Sequence, residues 1–422
     1  MKPLTAVMIV CLIVALFLTP GVGAVGQYTL VKTWGSFGSG DTQFIGPWGL
    51  AIDPAGYLYV ADKDYLSEAS NTRVEKYTLD GNYVTKWGTP GNGNNQFGYH
   101  SPQGVGVDSS GNVLASDSDN GRIEKFDSQG NFLKEYTSWG DGTRFGSVDQ
   151  IAFDTAGNIY IDDSSYGIVK LDPNGNFLRH WGSGGSGDGQ FAWPEGIAVD
   201  WSDNVYVADS YNNRIQKFDS SGNFLKKWGT YGSADGQLNN PGHMAIGPDG
   251  NLYVVDRWND RIQIFDTDGN FLGKIDNLEN GQMAYPYPEG VVLDAAGNVY
   301  VSDTGHFRIL KFSPGPVPPA GNISVTSNPA GAEIYLNTDD TGHITPYTLS
   351  NIAAGNHEVK VTKDCYVTPD PQDVIVEAGD TATVDFVLHS EGSCVPEFPS
   401  MAIPAAILIG CIAVIIFFAK RE

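Results

Sequence analysis

Short segments that alternate β-branched or aromatic residues with polar ones recur along most of the chain. The clearest copy spans residues 194–229, PEGIAVDWSDNVYVADSYNNRIQKFDSSGNFLKKWG. Its four apolar segments, GIAVD, NVYVAD, RIQKFD and NFLKKWG, are bounded by Gly, Asp, Asn or Ser. Such segments predict β-strands joined by turns. The stretch therefore predicts a four-stranded antiparallel meander.

Six copies of this meander are marked by the Asp that ends the second predicted strand. These residues are Asp62, Asp117, Asp163, Asp209, Asp256 and Asp303, in steps of 55, 46, 46, 47 and 47 residues. A period near 45 with four strands per unit is typical of propeller blades. One sheet cannot bury both of its faces alone, so the copies must stack. The pattern therefore predicts a six-bladed propeller.

The ends of the array predict how the ring closes. The sixth copy stops at Phe312 and lacks a fourth strand, whereas a strand of that type, GQYTLVKTWG, precedes the first copy. Each strand type occurs six times if residues 28–34 complete the last blade. Pairing of this kind removes an open sheet edge. We therefore expect the N-terminal strand to join the two ends.

The units resemble NHL repeats, a six-bladed propeller family, over residues 28–312. The resemblance rests on P-x-G-I/V-A-V-D, G-N-V-Y-V-A-D-S, N-R-I-Q-K-F and G-x-F-L-x-x-W-G. The third copy departs most, because Asp149 and Gln150 replace Glu-Gly and Gly167 replaces the Arg of the third strand. The resemblance implies an all-β propeller, assigned to residues 25–313.

Residues present in nearly every copy are predicted to be scaffold. The third strand opens on Arg73, Arg122, Arg214, Arg261 and Arg308. An Asp–Arg pair that pins each hairpin explains this repetition better than catalysis does. The Trp-Gly pairs at Trp34, Trp87, Trp139, Trp181 and Trp228 are expected to pack one blade on the next.

Candidate binding residues lie where the pattern breaks. Antiparallel geometry places the short turns on one face and the longer, more variable loops on the other, where binding usually occurs. Aromatics with Arg and His on that rim favour a surface protein or glycan as ligand, and packing of individual loops is the alternative. The candidates are Trp48, Tyr65, Trp193, Tyr211, His243, Arg257, Trp258, His306 and Phe307.

The resemblance also implies an alternative, because related propellers include lyases and lactonases with a metal in the channel. Such a site needs several His or converging carboxylates on the first strands. The four propeller histidines, His100, His180, His243 and His306, fall at four different blade positions. We therefore predict no catalytic residue and no cofactor beyond weak Ca²⁺ binding by loops such as Gly187-Asp188-Gly189. Stoichiometric zinc or calcium lost on mutating His243 would favour the enzyme.

Charge and the N-terminal segment indicate the compartment. The net charge of −24 at pH 7 offers no basic stripe for nucleic acid. Residues 1–24 combine Lys2, an apolar core over residues 6–18 and Val22-Gly23-Ala24. This order predicts a secretory signal peptide, with an uncleaved anchor as the alternative.

A second domain follows the proline-rich linker at residues 314–320. Alternating segments over residues 321–389 predict a small β-sandwich. The segments SNPAGAEIY, TPY and GNHEV resemble the PEGA domain, which is associated with cell-surface proteins and with no catalysis. Asn322 opens a candidate glycosylation sequon. Cys365 and Cys394 are candidates for one extracellular disulfide, with two thiols as the alternative.

The C-terminal order predicts an anchor. A spacer at residues 390–400 carries Pro396, Glu397, Phe398 and Pro399, and an apolar stretch follows at 401–419. Residues 420–422 form a basic tail that we expect to stay in the cytoplasm. The stretch is long enough for a transmembrane helix. The order resembles the PEF-CTERM sorting signal of archaeal surface proteins, which implies cleavage by an archaeosortase-type enzyme and a lipid anchor. A permanent membrane anchor is the alternative. The sequence thus predicts an exported surface protein for binding, adhesion or envelope assembly.

Overall fold

The computed structural model describes residues 27–64, 71–139, 142–164, 167–276, 287–315, 320–337 and 339–390. It divides into two compact units, one reaching Pro318 and one starting at Pro319. The predicted signal peptide, Tyr65, Cys394, the sorting motif and the apolar stretch at 401–419 lie outside the described residues. Within the described residues, no helix has both the length and the apolar character needed to cross a membrane.

The first unit contains six four-stranded antiparallel sheets, called blades 1 to 6 here. Blades 1 and 2 comprise Pro47–Ile52, Tyr57–Asp62, Arg73–Thr78 and Tyr83–Trp87, then Val105–Val107, Val113–Asp117, Arg122–Phe126 and Phe132–Tyr136. Blades 3 and 4 comprise Val148–Phe153, Ile159–Asp163, Gly167–Leu171 and Phe177–Trp181, then Pro194–Val199, Val205–Asp209, Arg214–Phe218 and Phe224–Trp228. Blades 5 and 6 comprise Pro241–Ile246, Leu252–Asp256, Arg261–Phe265 and Phe271–Ile275, then Pro288–Leu293, Val299–Asp303, Arg308–Pro314 and Tyr28–Trp34.

The blades form a closed ring. The first strand of each blade contacts the first strand of the next, and that of blade 6 contacts that of blade 1. Short 3₁₀ turns at Ser118–Asn120, Ser210–Asn212, Arg257–Asn259 and Thr304–His306 follow four of the second strands, and Thr89–Pro90 pairs with Gln96–Phe97. The prediction of a six-bladed propeller is confirmed.

The N-terminal strand completes blade 6, as predicted. Tyr28–Trp34 pairs antiparallel with Arg308–Pro314, and Trp34 lies opposite Ile309. The Tyr28 hydroxyl is also 2.7 Å from that of Tyr253 in blade 5. The two ends of the propeller chain are therefore held in one sheet.

A second repeated feature ties neighbouring blades together on the face with the short turns, called the turn face here. A third-strand lysine donates to a backbone carbonyl of the next blade in four places: Lys76 to Ser128, Lys170 to Ser220, Lys217 to Thr267 and Lys311 to Leu79. Blade 5 has Ile264 at this position. Blade 6 offers no corresponding turn, because its fourth strand comes from the N-terminus. The contact between Tyr253 and Tyr28 takes the place of the lysine there.

The repeated Asp and Arg form the predicted scaffold pair. In blade 4, Arg214 Nε lies 2.6 Å from Asp209 Oδ2, and the equivalent pairs in the other Arg-bearing blades lie within 3.4 Å. Asp209 also accepts the Ala192 amide, while Arg214 donates to the carbonyls of Ser186, Gly187 and Gln190. The pair thus fastens the loop between blades to the hairpin that follows it.

The predicted packing of the five Trp rings between neighbouring blades is confirmed. Gly222 of blade 4 has a φ of 76°, and a Cβ added there would lie 2.7 Å from the Trp181 ring of blade 3. Trp139 packs between blades from a different position, because the fourth strand of blade 2 ends at Tyr136 and Trp139 lies in the loop that follows, buried in the core cluster that blades 2 and 3 share. Tyr136 packs against Gly175, the equivalent turn glycine of blade 3, whereas the Trp139 ring lies 4.8 Å from that of His180.

The second unit contains two main sheets around one core. One sheet joins Ala320–Asn328, Tyr347–Ala353 and Thr381–Val387, and the other joins Glu333–Leu336, Asp339–Ile344, Gly355–Thr362 and Gln372–Val376. Tyr366–Val367 pairs with His389–Ser390. Both main sheets contribute to a shared apolar core that includes Ile323, Ile334, Val361 and Phe386. Asn322 Nδ2 donates to Thr381 Oγ1 at 3.3 Å, and Cys365 is partly buried.

Candidate ligand-binding face

One position of the repeat sets the chemistry at the loop-face end of the central channel. It is the x of P-x-G in the first strand, or the equivalent residue in blade 3. The first strands meet at the centre of the ring, so the six residues at this position surround the mouth of the channel. In order of the blades, it holds Trp48, Gln103, Asp149, Glu195, Gly242 and Glu289. Three carboxyl groups therefore converge on the channel mouth.

Arg257 neutralises two of these carboxyl groups. Its Nη2 lies 2.8 Å from Glu289, its Nη1 pairs closely with Glu195, and Nη1 also donates to Asn240 Oδ1 at 2.8 Å. Gly242 leaves room for the guanidinium, since a Cβ there would lie 3.2 Å from Nη2. Burial raises the pKa of Glu289 to about 7, against the opposing effect of Arg257. Arg257 was predicted on the exposed rim, but it is buried in this ion cluster.

Blade 3 adds two buried carboxyl groups, those of Asp149 and Asp162. Burial and the nearby Glu195 raise the pKa of Asp149 to about 7. The backbone amides of Asp149 and Gln150 donate to Asp162 Oδ1, at 3.1 and 2.6 Å. These amides favour the charged form of Asp162, although burial still raises its pKa well above the usual range.

Two side chains fill the channel where most blades have glycine after the x position. Gln150 donates to the Met244 carbonyl and accepts from the amides of Ile197 and Met244, so it bridges blades 3, 4 and 5. His243 is buried, and burial lowers its pKa to about 3, which keeps the ring neutral. Its Nε2 has no hydrogen-bond partner within the part of the chain that is described. His243 therefore belongs to the channel interior and not to the exposed rim.

Lys63 and Trp48 form the blade 1 side of the channel mouth. The residue after each repeated Asp is Lys63, Ser118, Ser164, Ser210, Arg257 or Thr304. In blades 2, 4 and 6 its hydroxyl donates to a first-strand carbonyl of the next blade, as Ser210 does to Pro241 at 2.7 Å. Lys63 Nζ instead lies 3.1 Å from the centroid of the Trp48 ring. Burial lowers the pKa of Lys63 to about 8.

Three predicted aromatic residues are exposed on the loop face of blades 4 and 5. Trp193, Tyr211 and Trp258 are 53%, 57% and 52% exposed. The Trp193 and Tyr211 rings are stacked, with centroids 5.9 Å apart and planes 27° apart. Trp193 has a φ of 57°, and its blade 5 equivalent, Asn240, has a φ of 55°. This left-handed conformation is unfavourable for a bulky residue and marks a position of interest.

His306 and Phe307, which were predicted as binding residues, both make contacts within the propeller. His306 Nδ1 bonds Asp303 Oδ1 at 2.8 Å, and His306 takes the place of an Asn that binds the repeated Asp in other blades, such as Asn212. The Phe307 ring packs edge-on against Phe37, with centroids 5.0 Å apart.

A further cavity of about 640 Å³ opens on the loop face of blades 1 to 3. It is lined by Lys63, His100, Gln103, Ser118, Asp119, Gly146 and Ser147. The His100 amide donates to Asp119 Oδ2 at 2.6 Å. The sequence prediction did not select His100 or Asp119 for binding. Two signals point to them: Asp119 has the same 3₁₀-turn position as Tyr211, and His100 lies in a longer loop than its counterparts.

The described residues offer no group of three or more His, Cys, Asp or Glu side chains that could hold a metal ion. The loop proposed for weak Ca²⁺ binding, Gly187-Asp188-Gly189, directs its carboxylate to a lysine, with Asp188 Oδ1 2.6 Å from Lys227 Nζ. The Gly187 amide donates to the Gln190 side chain, which closes this loop on itself.

Two family resemblances are confirmed by comparison with known proteins. Residues 99–126, 191–218, 238–265 and 285–312 match the NHL repeat, and residues 320–391 match the PEGA domain. A segment of 56 residues is 39% identical to Protein lin-41 of Caenorhabditis elegans; it covers 13% of this chain and 4% of that protein.

Similar solved structures include two propellers with low sequence identity. Virginiamycin B lyase from Staphylococcus aureus has a TM-score of 0.48 and 16% identity over 68% of this chain and 99% of its own. XC5397 from Xanthomonas campestris, described as a gluconolactonase, has a TM-score of 0.49 and 15% identity over 68% of this chain and 98% of its own.

Proposed function

We propose that this protein is an exported binding protein held at a cell surface, and that the loop face of the propeller recognises a surface glycan or protein. The exposed, stacked pair of Trp193 and Tyr211, together with the exposed Trp258 of the next blade, carries the proposal. The repeated Asp and Arg residues pair with each other, and Arg257 pairs with Glu195 and Glu289 in the buried cluster. These three aromatic rings, in contrast, are open to solvent.

The geometry of the three rings favours a ligand with flat, apolar faces. Backbone bonds hold the rings to rigid loops, since the Tyr211 amide donates to the Ala192 carbonyl and the Trp258 amide to the Asn239 carbonyl. Trp and Tyr lose little conformational entropy on binding and bury a large area each. The Asn240 amide donates to Asn213 Oδ1, which links the loops of the two blades. A ligand can therefore contact rings from both blades without reordering the loops.

Trp193→Ala is expected to weaken ligand binding by about 2 kcal/mol, the size of an interface hot spot. A glycan array and protein captured from isolated envelopes supply the ligand, and calorimetry measures the affinity. Trp201→Ala is the matched control, because Trp201 is 71% exposed but lies in a turn of the opposite face. Equal losses in the two variants would contradict recognition by the loop face. Retention of binding after protease treatment of the envelopes distinguishes a glycan from a protein.

The anchor rests on the order of the sorting motif, the apolar stretch and the charged tail. We expect the mature protein, extracted from native membranes, to lack residues 1–24 and the residues after Pro399, and to carry an added lipid mass. Intact-mass spectrometry measures this directly. A mass that includes residues 401–422 would instead establish a permanent membrane anchor. A mass that includes residues 1–24 would contradict removal of a signal peptide.

A further inference from the structure

The cavity on blades 1 to 3 is separate from the exposed aromatic rings on blades 4 and 5. Its volume of about 640 Å³ lies within the range of about 300–1,000 Å³ typical of small-molecule sites. Lys63, His100, Gln103 and Asp119 are among the residues that line it. Binding in this cavity is therefore independent of the role of Trp193.

Lys63 is a buried cation beside this cavity. The residue is only 5% exposed and lines the cavity, and its ammonium rests on the face of Trp48. Within the described ranges, no carboxylate pairs with this ammonium and no acceptor bonds to it. Arg257 has the same position in blade 5, yet it pairs with two carboxylates. A buried charge is normally paired at close range, and no described carboxylate forms an ion pair with Lys63, so an anion from outside the chain could take that place.

Gln103 adds a second donor to the cavity. Its backbone amide donates to Ser116 Oγ at 3.2 Å. Its side-chain amide makes no hydrogen bond to any residue that the structure describes, and it lines the cavity beside Lys63. An ammonium and a carboxamide together suit an anionic oxygen group that accepts more than one hydrogen bond.

The surrounding carboxyl groups favour a ligand with one negative charge over a ligand with two. Asp149, Glu289 and Glu195 all act electrostatically on Lys63, and Asp119 lies at the cavity wall. These carboxyl groups would repel a doubly charged phosphate more strongly than a carboxylate. We propose that this cavity binds a carboxylate-bearing small ligand, such as an acidic sugar, with Lys63 as its ion-pair partner and Gln103 as a second donor. The polar wall at His100 and Asp119 suits the ligand's hydroxyl groups.

The test compares D-glucuronate with D-glucose, which share a ring but differ in the carboxylate. We expect calorimetry on the exported chain to show millimolar or tighter binding of glucuronate and none of glucose. Lys63→Met, which keeps an unbranched side chain of nearly the same length but loses the charge, should weaken glucuronate binding by at least about tenfold, while Lys63→Arg retains it. Lys227→Met is the control, because Lys227 is a partly exposed lysine of an outer strand.

A second variant keeps the test decisive if Lys63→Met fails to fold. Gln103→Glu places a carboxylate beside Lys63 in a partly exposed position and is expected to abolish glucuronate binding without unfolding the blade. Inorganic phosphate is tested in parallel and should bind more weakly than glucuronate. Absence of glucuronate binding, equal binding of glucose, tighter binding of phosphate, or unchanged binding in Lys63→Met or Gln103→Glu would each overturn the proposal.

Discussion

Replacing Trp34 by alanine is expected to destabilise the propeller by about 3–5 kcal/mol, the usual cost of removing a large buried aromatic side chain. Trp34 ends the strand that closes the ring, and its side chain is buried. Its ring lies 6.2 Å from that of Tyr77 in blade 1 and 6.4 Å from that of Tyr300 in blade 6. The substitution therefore removes a wedge between two blades at the junction where the ends of the array meet. Chemical denaturation followed by far-ultraviolet circular dichroism measures the loss.

Two controls separate ring closure from general packing. Trp201→Ala removes an exposed Trp and is expected to change the free energy of unfolding by about 0.5 kcal/mol or less. Trp87→Ala removes the equivalent wedge between blades 1 and 2, where the chain runs on directly from one blade to the next. If closure matters beyond packing, Trp34→Ala will lower stability more than Trp87→Ala does. A smaller loss in Trp34→Ala than in Trp87→Ala would show that the closing strand contributes only its local contacts.

The scaffold was predictable because each blade repeats the same strands, with the same residue types at equivalent positions. Six copies of the second-strand Asp fixed the number of blades, and the missing fourth strand after Phe312 identified the closing strand. The Asp–Arg pair was predictable for the same reason, since a need shared by every blade produces a shared residue. Where one copy drifted, the sequence did not show which residue ends the fourth strand: Tyr136 has the Trp position of blade 2, and Trp139 packs against blade 3 from the loop that follows.

The site was less predictable because its members occupy different positions of the repeat. Arg257 follows the repeated Asp of blade 5, whereas its partners Glu195 and Glu289 occupy the x of P-x-G in blades 4 and 6. Each looks like one isolated deviation in the sequence. Only the packing of blades 4, 5 and 6 around the channel brings the three together. The sequence also did not show which of these side chains are buried. His243 and Trp193 both break the pattern, yet His243 is buried and Trp193 is exposed.

Arg257→Met is expected to lower the free energy of unfolding by about 3–5 kcal/mol at neutral to alkaline pH, because it leaves two buried carboxylates without their cation. The cost should shrink in acid. Burial holds the pKa of Glu289 at about 7, above its value of about 4.5 in the unfolded chain. A carboxyl with a raised pKa takes up its proton more readily in the folded state, so its ionisation costs stability as the pH rises from about 4.5 to 7. Removing Arg257 raises this pKa further and steepens that dependence.

Urea denaturation of Arg257→Met at about pH 5 and pH 8 measures this difference. At the lower pH the carboxyl of Glu289 is protonated in the folded variant, so the variant should lie closer to the native protein than it does at the higher pH. Glu289→Gln in the Arg257→Met background removes one of the two unpaired charges while keeping the shape, and should restore part of the lost stability at pH 8. Equal losses at both pH values, or no recovery with Glu289→Gln, would show that Arg257 stabilises the channel by packing over Gly242 and not by neutralising its carboxylates.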